Sequence, residues 1–388
     1  MDVFCIGPIY PYRGGVAHSN RMQCENLSKH NKVTAISFSR MYPSFLYPGK
    51  EQKETKDDPT FSVHTEYLLD FLNPFSWLSV AHKIKREKPD HVVFRWWHTI
   101  FTPMYWTIVT FGRNPKTKFS AVCGNIEQHE GSTLHNVLNA LLHYPLQKFF
   151  FQSLDYFITF SSSDRQKILK ILPRAEVSWI TESTYEKQFG KMPSQEAARK
   201  KIGVKGDAIM FFGFIRPYKG LKYLLQAMPA ILAKKKDVTV LIVGEFWNDK
   251  QDYLNLIAEH NLEKNVKIVD QYVSNEEVPT YFAASDAIVL PYVSSSESGI
   301  IQLAYGLNTP VITSAVGGNV DLIEHRKTGM LCRSEDPADL ARVIVEFYDK
   351  KLEGPIRKGM KQNADLFKWT PEKEAIFFNQ KKQYVNRK

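Results

Sequence analysis

The chain has 388 residues, 43% hydrophobic and 24% charged, which is an ordinary globular composition for two or three domains and excludes a disordered tail or a small stapled scaffold. An excess of 51 Lys and Arg over 41 Asp and Glu gives a net charge of +10 and favours anionic partners such as phosphates, nucleotides, acidic lipids or nucleic acid. The four widely spaced cysteines include no CxxC pair, so the sequence indicates neither a disulfide framework nor a zinc site.

The N-terminal segment MDVFCIG lacks the basic start and the small-residue cleavage site of a signal peptide, so we interpret it as a buried strand and expect a cytoplasmic location. The longest uncharged stretch, residues 96–112, is shorter than the roughly 20 residues that a membrane-spanning helix needs and contains His98 and Pro103. We therefore predict no transmembrane segment.

Short apolar runs alternate with segments of helical periodicity along the chain. The first series reads MDVFCIG, KVTAISF, HVVFRW, TKFSAV and DYFITF. After a polar stretch that follows Phe189, the second reads DAIMFFG, VTVLIVG, NVKIVD, DAIVLP, TPVITS and TGMLC. This alternation predicts an α/β protein with two Rossmann-like doubly wound domains, residues 1–185 and 190–369, that face each other across a cleft.

Such folds bind ligands in the loops after the strands. In GPIYPYRGG, the loop after the first strand, Gly14 and Gly15 precede a helix expected from Val16. Glycines at this point let backbone N–H groups approach a phosphate at the positive end of the helix. The loop is not a GxGxxG fingerprint, which argues against a nicotinamide or flavin enzyme. The alternative is that both glycines only close a tight turn.

The corresponding turn of the second domain, FFGFIRPYKG, places Arg216 and Lys219 beside Gly213 and Gly220, before an amphipathic helix. Two cations near a helix N-terminus can neutralise a diphosphate, and we expect both in a solvent-facing turn. A solvated basic turn without a ligand is the alternative.

A third loop, LPYVSSSESG, brings the Glu297 carboxylate and the N–H groups of Ser298 and Gly299 to the start of an apolar helix. This arrangement can hold hydroxyls and phosphates of a nucleotide sugar. The alternative is an ordinary serine N-cap, which stabilises a helix by roughly 1 kcal/mol.

These loops carry a resemblance. Five segments carry it: the GG after the first strand, FGFIRPYKG, LIVGEFW, SG-x3-QLAYG-x3-PVI and AVGGNVDLIEHRKTG. Together they resemble the GT-B glycosyltransferases of family 4. One branch of that family is resembled by five further segments: LNPFSW, VVFRWW, the CxN-x3-HE loop, GEFWNDKQDY and YVSNEEVPTYF. The resemblance implies retaining transfer from a nucleotide-sugar donor, a UDP- or GDP-sugar, with no catalytic metal and no cofactor. It also implies a C-terminal helix, within residues 370–388, that crosses back to the N-terminal domain.

Carried over by position, Arg216 and Lys219 match the cations that hold the donor diphosphate, and Gly14 and Gly15 match the loop whose amides face it. The chain departs from the family in its pair of glutamates seven residues apart. Ser295 and Leu303 stand at those positions, and the nearest carboxylate, Glu297, is shifted by two. The arginine also precedes the lysine by three residues, whereas the family spacing is five.

The N-terminal domain is expected to supply the acceptor contacts. In CGNIEQHEGS, Asn125, His129 and Glu130 match the asparagine and the His-Glu pair of the branch, which implies catalytic roles for His129 and Glu130. The branch more often has a histidine where Gly124 stands. A structural role for His129 is the alternative.

The aromatic Trp97 and the adjacent His98 follow the strand HVVFRW and face the same expected cleft, where they could stack a sugar ring or a lipid-linked acceptor. Core or edge packing is the alternative for the tryptophan.

The amphipathic run NALLHYPLQKFFFQSLDYF and four basic residues, Lys83, Lys85, Arg86 and Lys88, predict peripheral contact with an anionic membrane at its inner face. Glycan or lipid-linked acceptors of cell-surface polysaccharide synthesis suit that location. A catalytically degenerate protein that only binds a nucleotide sugar is the competing reading. We expect no nucleic-acid partner, because no compact basic and aromatic module is visible.

Overall fold

The computed structural model describes residues 1–42, 52–53, 62–124, 126, 144–184, 189–247, 250–296 and 298–380. The chain divides into two compact units. Unit 1 comprises residues 1–182 and 369–388, and unit 2 comprises residues 183–368.

Unit 1 contains a seven-stranded parallel sheet of order β3-β2-β1-β4-β5-β6-β7. Its strands are β1 (Asp2–Ile6), β2 (Lys32–Arg40), β3 (Thr65–Asp70), β4 (His91–Trp96), β5 (Lys118–Cys123), β6 (Tyr156–Thr159) and β7 (Val177–Trp179). Its described helices are α1 (Gly15–Leu27), α2 (Pro74–Glu87), α3 (Thr102–Gly112), α4 (Tyr144–Gln152), α5 (Ser162–Ile171) and α14 (Pro371–Phe377).

Helices cover both faces of this sheet, which is why its central strands are apolar on both sides. One core cluster packs the sheet against α2, α3 and α4 through residues such as Ile84, Tyr105 and Phe150. The other packs it against α1 and α14, where Phe377 is fully buried. The C-terminal helix is therefore part of the core of unit 1.

Unit 2 contains a six-stranded parallel sheet of order β10-β9-β8-β11-β12-β13. Its strands are β8 (Ala208–Phe212), β9 (Thr239–Val243), β10 (Val266–Val269), β11 (Ala287–Leu290), β12 (Val311–Ser314) and β13 (Met330–Cys332). Its described helices are α6 (Gln195–Ile202), α7 (Leu221–Leu232), α8 (Lys250–Glu259), α9 (Val278–Ala284), α10 (Gly299–Gly306), α11 (Asn319–Leu322), α12 (Pro337–Asp349) and α13 (Glu353–Gln362).

The predicted α/β class with two doubly wound parallel sheets is confirmed, and every apolar run of the two predicted series is a strand. The structure adds two edge strands, β3 and β7, that the sequence did not reveal. Helix α1 begins at Gly15, one residue before the expected start. No helix among the described residues is long and apolar enough to span a membrane.

Candidate functional site

The strand order reverses at one place in each sheet, between β1 and β4 in unit 1 and between β8 and β11 in unit 2. Loops diverge at such a point and leave a crevice at the carboxyl end of the sheet, where open α/β sheets bind ligands. The predicted residues of the described regions follow these four strands: Gly14 and Gly15 after β1, Trp97 and His98 after β4, Arg216 and Lys219 after β8, and Ser298 and Gly299 after β11.

In unit 2 the loops after β8 and β11 lock together. Gly220 has φ +72°, and a Cβ on it would stand 1.9 Å from the Pro291 carbonyl oxygen. The backbone N–H of Val293 donates to the carbonyl of Tyr218 at 2.8 Å. Only glycine fits at residue 220, so this close approach fixes the cationic turn against the loop that leads into α10.

Lys219 lies inside this junction. Only 9% of its surface is exposed, which corrects the expectation that both cations stand in a solvent-facing turn. A Cβ on Gly213 would lie 3.0 Å from the Lys219 Nζ and 3.1 Å from the Ile300 Cδ1. The missing side chain at Gly213 therefore leaves room for the ammonium group, which lies near the start of α10.

Arg216 is half-buried and stacks on two aromatic rings. Its guanidinium carbon lies 5.3 Å from the ring centroid of Trp247 and 5.4 Å from that of Tyr218. A stacked guanidinium keeps its N–H groups at the edge of the plane, where they can bind an anion in a bidentate manner. Residues Pro217–Lys219 form one 3-10 turn with Arg216 at its N-cap, so the three-residue spacing places the two cations at opposite ends of a single turn.

An aromatic group that the sequence analysis missed stands beside Arg216. Phe214, Trp247 and Tyr272 follow the neighbouring strands β8, β9 and β10, and we call them the aromatic trio. The ring centroid of Phe214 lies 4.5 Å from that of Trp247 and 6.2 Å from that of Tyr272. All three are half-buried and suit the stacking of a planar ligand. An aromatic residue in each loop after three successive strands is the signal that could have found them.

The loop after β11 supplies buried hydroxyls. Ser295 and Ser296 are 5% and 2% exposed, and neither Oγ has a hydrogen-bond partner among the described residues. Gly317 has φ +48° and packs directly against the Ser295 carbonyl. A Cβ at residue 317 would overlap this carbonyl, so the contact requires glycine. Ser298 occupies the N-cap of α10, but its side chain makes no capping bond, so the ordinary serine cap does not explain it. Buried hydroxyls without partners are suited to sugar or phosphate oxygens.

In unit 1, Gly14 has φ +99° and ψ 164°, a conformation that only glycine adopts readily. Its carbonyl accepts hydrogen bonds from the backbone N–H groups of Ala17 and His18 and so starts α1. A Cβ on Gly15 would meet nothing within 4 Å, so the helix start is open at this residue.

Trp97 packs into unit 1, with its ring centroid 4.4 Å from that of Phe101 and its Nε1–H donating to the Tyr42 hydroxyl at 3.2 Å. The His98 Nδ1 accepts a hydrogen bond from the Ile100 N–H and caps the short helix Thr99–Phe101. Both residues thus have structural contacts, and their acceptor roles stay a prediction.

A buried ion pair at the same end of the sheet was not anticipated. Arg95 on β4 lies 3.7 Å from the Glu182 carboxylate, which also accepts a hydrogen bond from Ser19 on α1. Burial raises the pKa of Glu182, although the Arg95 charge opposes the shift. A Cβ on Gly7 would stand 2.6 Å from the Arg95 Cβ, so this glycine makes room for the arginine. One charged residue inside the apolar strand HVVFRW was the available sequence signal.

Four predicted residues lie outside the described residues: Asn125, His129, Glu130 and Glu297. Within the described part of the chain, no group of three His, Cys, Asp or Glu side chains could hold a metal ion. The roles of these four residues and the metal-free chemistry stay predictions.

Two doubly wound units, each with candidate ligand-binding loops at the point where its strand order reverses, are the architecture of GT-B glycosyltransferases. Solved structures of such enzymes have the same fold. Sucrose-phosphate synthase from Thermosynechococcus elongatus superposes with a TM-score of 0.71 at 18% identity, covering 98% of both chains. HepE of Anabaena in complex with UDP-glucose superposes with a TM-score of 0.73 at 15% identity, covering 98% of this chain and 100% of that one. The resemblance to the GT-B glycosyltransferases is thereby confirmed for the fold.

Residues 206–350, within unit 2, match the family model described as Glycosyl transferases group 1. The D-inositol 3-phosphate glycosyltransferase of Corynebacterium efficiens is 28% identical over 216 residues, 53% of this chain and 49% of that protein. An uncharacterized glycosyltransferase of Methanocaldococcus jannaschii is 29% identical over 192 residues, 47% of this chain and 48% of that protein. The chain thus spans about half the length of the curated relatives that it matches.

Proposed function

We propose that this chain is a retaining glycosyltransferase of the family 4 type, which moves a sugar from a nucleotide-sugar donor to a glycan or lipid-linked acceptor. Unit 2 binds the donor and unit 1 binds the acceptor. Cell-surface polysaccharide or glycoconjugate synthesis at the inner face of the membrane is the setting that we propose.

The observation that carries the proposal is the cationic turn of unit 2. Lys219 is buried beside Gly213, and Arg216 is held on the rings of Trp247 and Tyr218 at the other end of the same turn. Removing a cation from water costs free energy, which binding of an anion can offset. Two cations fixed on one turn, at the point where the strand order reverses, are suited to the two phosphates of a nucleoside diphosphate.

The surroundings of the turn suit the remaining parts of such a donor. The aromatic trio offers planar surfaces for a nucleobase on the β9 and β10 side. Ser295 and Ser296 offer hydroxyls for the sugar on the β11 side. HepE, whose solved structures contain UDP and UDP-glucose, supports testing UDP-sugars first.

In the proposed reaction, the bond between the anomeric carbon and the diphosphate oxygen breaks while the acceptor hydroxyl bonds to the same face of the sugar. Arg216 and Lys219 stabilise the charge that develops on the leaving diphosphate, in place of a metal ion. The leaving phosphate can receive the proton of the acceptor hydroxyl, with His129 and Glu130 as the residues that we propose to position the reacting groups. Asn125, Trp97 and His98 are proposed acceptor contacts, and Gly14 and Gly15 supply amides toward the donor phosphates.

A catalytically degenerate nucleotide-sugar-binding protein is the second candidate. It is favoured by one observation, since Ser295 and Leu303 replace the family's two glutamates, and Leu303 is buried in α10. Both candidates bind the donor, but only the first turns it over.

A thermal-shift screen with UDP-, GDP- and ADP-sugars tests donor binding. A ligand at 100 times its dissociation constant stabilises the protein by roughly 2.7 kcal/mol, which is a readily measured shift. If no nucleotide sugar stabilises the chain, the donor site is wrongly assigned. Release of UDP or GDP in the presence of acceptor then separates the enzyme from the degenerate binder.

A further inference from the structure

A buried arginine of unit 1 has hydrogen-bond donors that the fold does not use. Arg95 is the next-to-last residue of β4, at the carboxyl end of the sheet, and only 4% of its surface is exposed. Neither its Nε nor its Nη1 has a hydrogen-bond partner among the described residues. A buried charge without hydrogen bonds costs free energy, so a ligand that accepts from these N–H groups would offset that cost.

Within the described part of the chain, Glu182 is the one carboxylate that pairs with Arg95, and it compensates the guanidinium only in part. Its Oε1 lies 3.7 Å from the Arg95 Nη1, which is too far for a hydrogen bond. The same oxygen accepts a hydrogen bond from the Ser19 hydroxyl. Burial also raises the pKa of Glu182, which disfavours its charged form. The ion pair therefore leaves donors of Arg95 unused.

Glycines after both neighbouring strands make room around this arginine. Gly7 follows β1, and a Cβ on it would stand 2.6 Å from the Arg95 Cβ. Gly124 follows β5, and a Cβ on it would lie 3.9 Å from the Arg95 Nη2, with no other described atom within 4 Å. The guanidinium therefore extends from β4 to the end of β5, where glycine leaves the approach to Nη2 clear of described atoms.

An aromatic ring fixes the orientation of the guanidinium. Its central carbon lies 4.9 Å from the ring centroid of Phe160, which follows β6. A stacked guanidinium keeps its N–H groups at the edge of the plane, as Arg216 does in unit 2. Nε and Nη2 form one edge, whereas Glu182 lies at Nη1. The edge suited to bidentate binding of an oxyanion is thus not the one beside Glu182.

We propose that Arg95 binds a phosphate or carboxylate group of the acceptor, so that this chain transfers sugar to an anionic acceptor. A planar fork of two N–H groups matches both oxyanions. The inference rests on the proposed function, because that function assigns the acceptor to unit 1. The donor diphosphate has two cations of its own, Arg216 and Lys219 in unit 2.

Isothermal titration calorimetry with inorganic phosphate, at an ionic strength held constant with sodium chloride, tests the proposal on the full chain. The starting protein is the variant Arg216→Gln with Lys219→Met, which lacks both cations of the proposed donor turn. We expect phosphate to bind this protein. Adding Arg95→Met with Glu182→Gln should abolish the binding, and this exchange removes both charges so that neither is left buried without a partner.

Two single substitutions in the same starting protein distinguish oxyanion binding from a purely structural ion pair. Arg95→Lys keeps the charge and removes the fork, so we expect the phosphate affinity to fall about tenfold. Glu182→Gln removes a competing anion, so we expect the affinity to rise about threefold. A structural ion pair alone would leave the phosphate affinity unchanged in both.

Arg113→Lys is the matched control. Arg113 also stacks on a ring, 4.9 Å from the centroid of Phe119, and pairs with Asp155. It is exposed, however, and lies at the opposite end of the sheet, where β5 begins. Phosphate binding should not change in this variant.

Methyl glucuronide and methyl glucoside, which differ in a carboxylate, extend the test to a sugar. Binding of the glucuronide that requires Arg95, without binding of the glucoside, would assign the carboxylate-bearing class of acceptor. Binding of phosphate at Arg95 without binding of either glycoside would assign the phosphorylated class.

An unchanged phosphate affinity in Arg95→Lys and in the Arg95→Met, Glu182→Gln exchange would overturn the proposal. So would phosphate binding that disappears with Arg216 and Lys219, or no phosphate binding in any of these proteins. Arg95→Lys retains the ion pair and decides the question if the neutral exchange folds poorly. Phosphate titration involves neither donor nor turnover, so its failure leaves the transferase proposal standing, and a chain without transferase activity would still bind phosphate at Arg95.

Discussion

The cationic turn gives the sharpest test of donor binding. Lys219→Met keeps most of the length of the buried side chain and removes its charge, and Arg216→Gln removes the stacked guanidinium. The matched control is Lys222→Met, which removes an exposed lysine from the first turn of α7, three residues further on. If the two cations hold the donor diphosphate, only the first two changes should weaken UDP binding.

The expected losses differ because the two cations differ in burial. A hydrogen bond to a charged group contributes about 1.5 to 3 kcal/mol, and the same charge interacts more strongly where water is excluded. Lys219 is 9% exposed, so we expect its loss near the upper limit, roughly 100-fold in affinity. Arg216 is only half-buried, so we expect Arg216→Gln to lower the affinity for UDP about tenfold.

Isothermal titration calorimetry with UDP on the two single variants, the double variant and the control measures these effects. Because both cations would contact one diphosphate, the two losses should not add in the double variant. Additive losses would mean that the cations act on separate groups. Wild-type affinity in the double variant, or a loss in Lys222→Met equal to that in Lys219→Met, would refute the assignment.

Four further outcomes are expected. Gly14→Ala should lower the free energy of unfolding, measured in urea, by about 1 to 3 kcal/mol, because Gly14 has a φ of +99°. Gly15→Ala should leave it unchanged or raise it slightly, because a Cβ at residue 15 meets open space. Equal effects of the two changes would contradict the loop geometry. Sugar transfer should continue in EDTA, because in the proposed mechanism Arg216 and Lys219 take the place of a metal ion. Loss of activity that manganese restores would show the opposite. His129→Ala should lower kcat more than donor affinity, and unchanged turnover would assign it a structural role. Burial lowers the pKa of Lys373 to about 8, so the folded state releases this proton at lower pH than the unfolded chain does. The free energy of unfolding of the wild type, relative to that of Lys373→Met, should therefore rise by up to about 3 kcal/mol between pH 7 and pH 10. A difference between the two proteins that does not change with pH would contradict this.

The strands of both units could be predicted because a parallel strand covered on both faces is a continuous apolar run, as in VTVLIV and DAIVL. The two edge strands lack that signal. β3 is largely exposed or half-buried, with Leu69 as its single buried residue, and β7 has only three residues. Their pairing with β2 and β6 supplies the order that their own sequences do not encode.

The loops of the candidate site were also predictable, because glycine and charge after a buried strand mark a binding loop in this fold class. The sequence therefore determined that Arg216 and Lys219 lie at the carboxyl end of a strand, and that Gly14 precedes a helix. It could not determine that the Lys219 side chain is buried, because the loop that packs over Lys219 is far from it in the sequence.

Tertiary structure decided which of these residues act together. Gly220 meets Pro291 across 71 residues of sequence and closes Lys219 into the junction. Phe214, Trp247 and Tyr272 become one surface only because β8, β9 and β10 are neighbours in the sheet. Arg95 and Glu182, 87 residues apart, likewise come together only in the folded chain. Local sequence specifies strands, turns and glycine conformations, whereas the parallel sheet order determines which strand ends, and hence which side chains, come into contact.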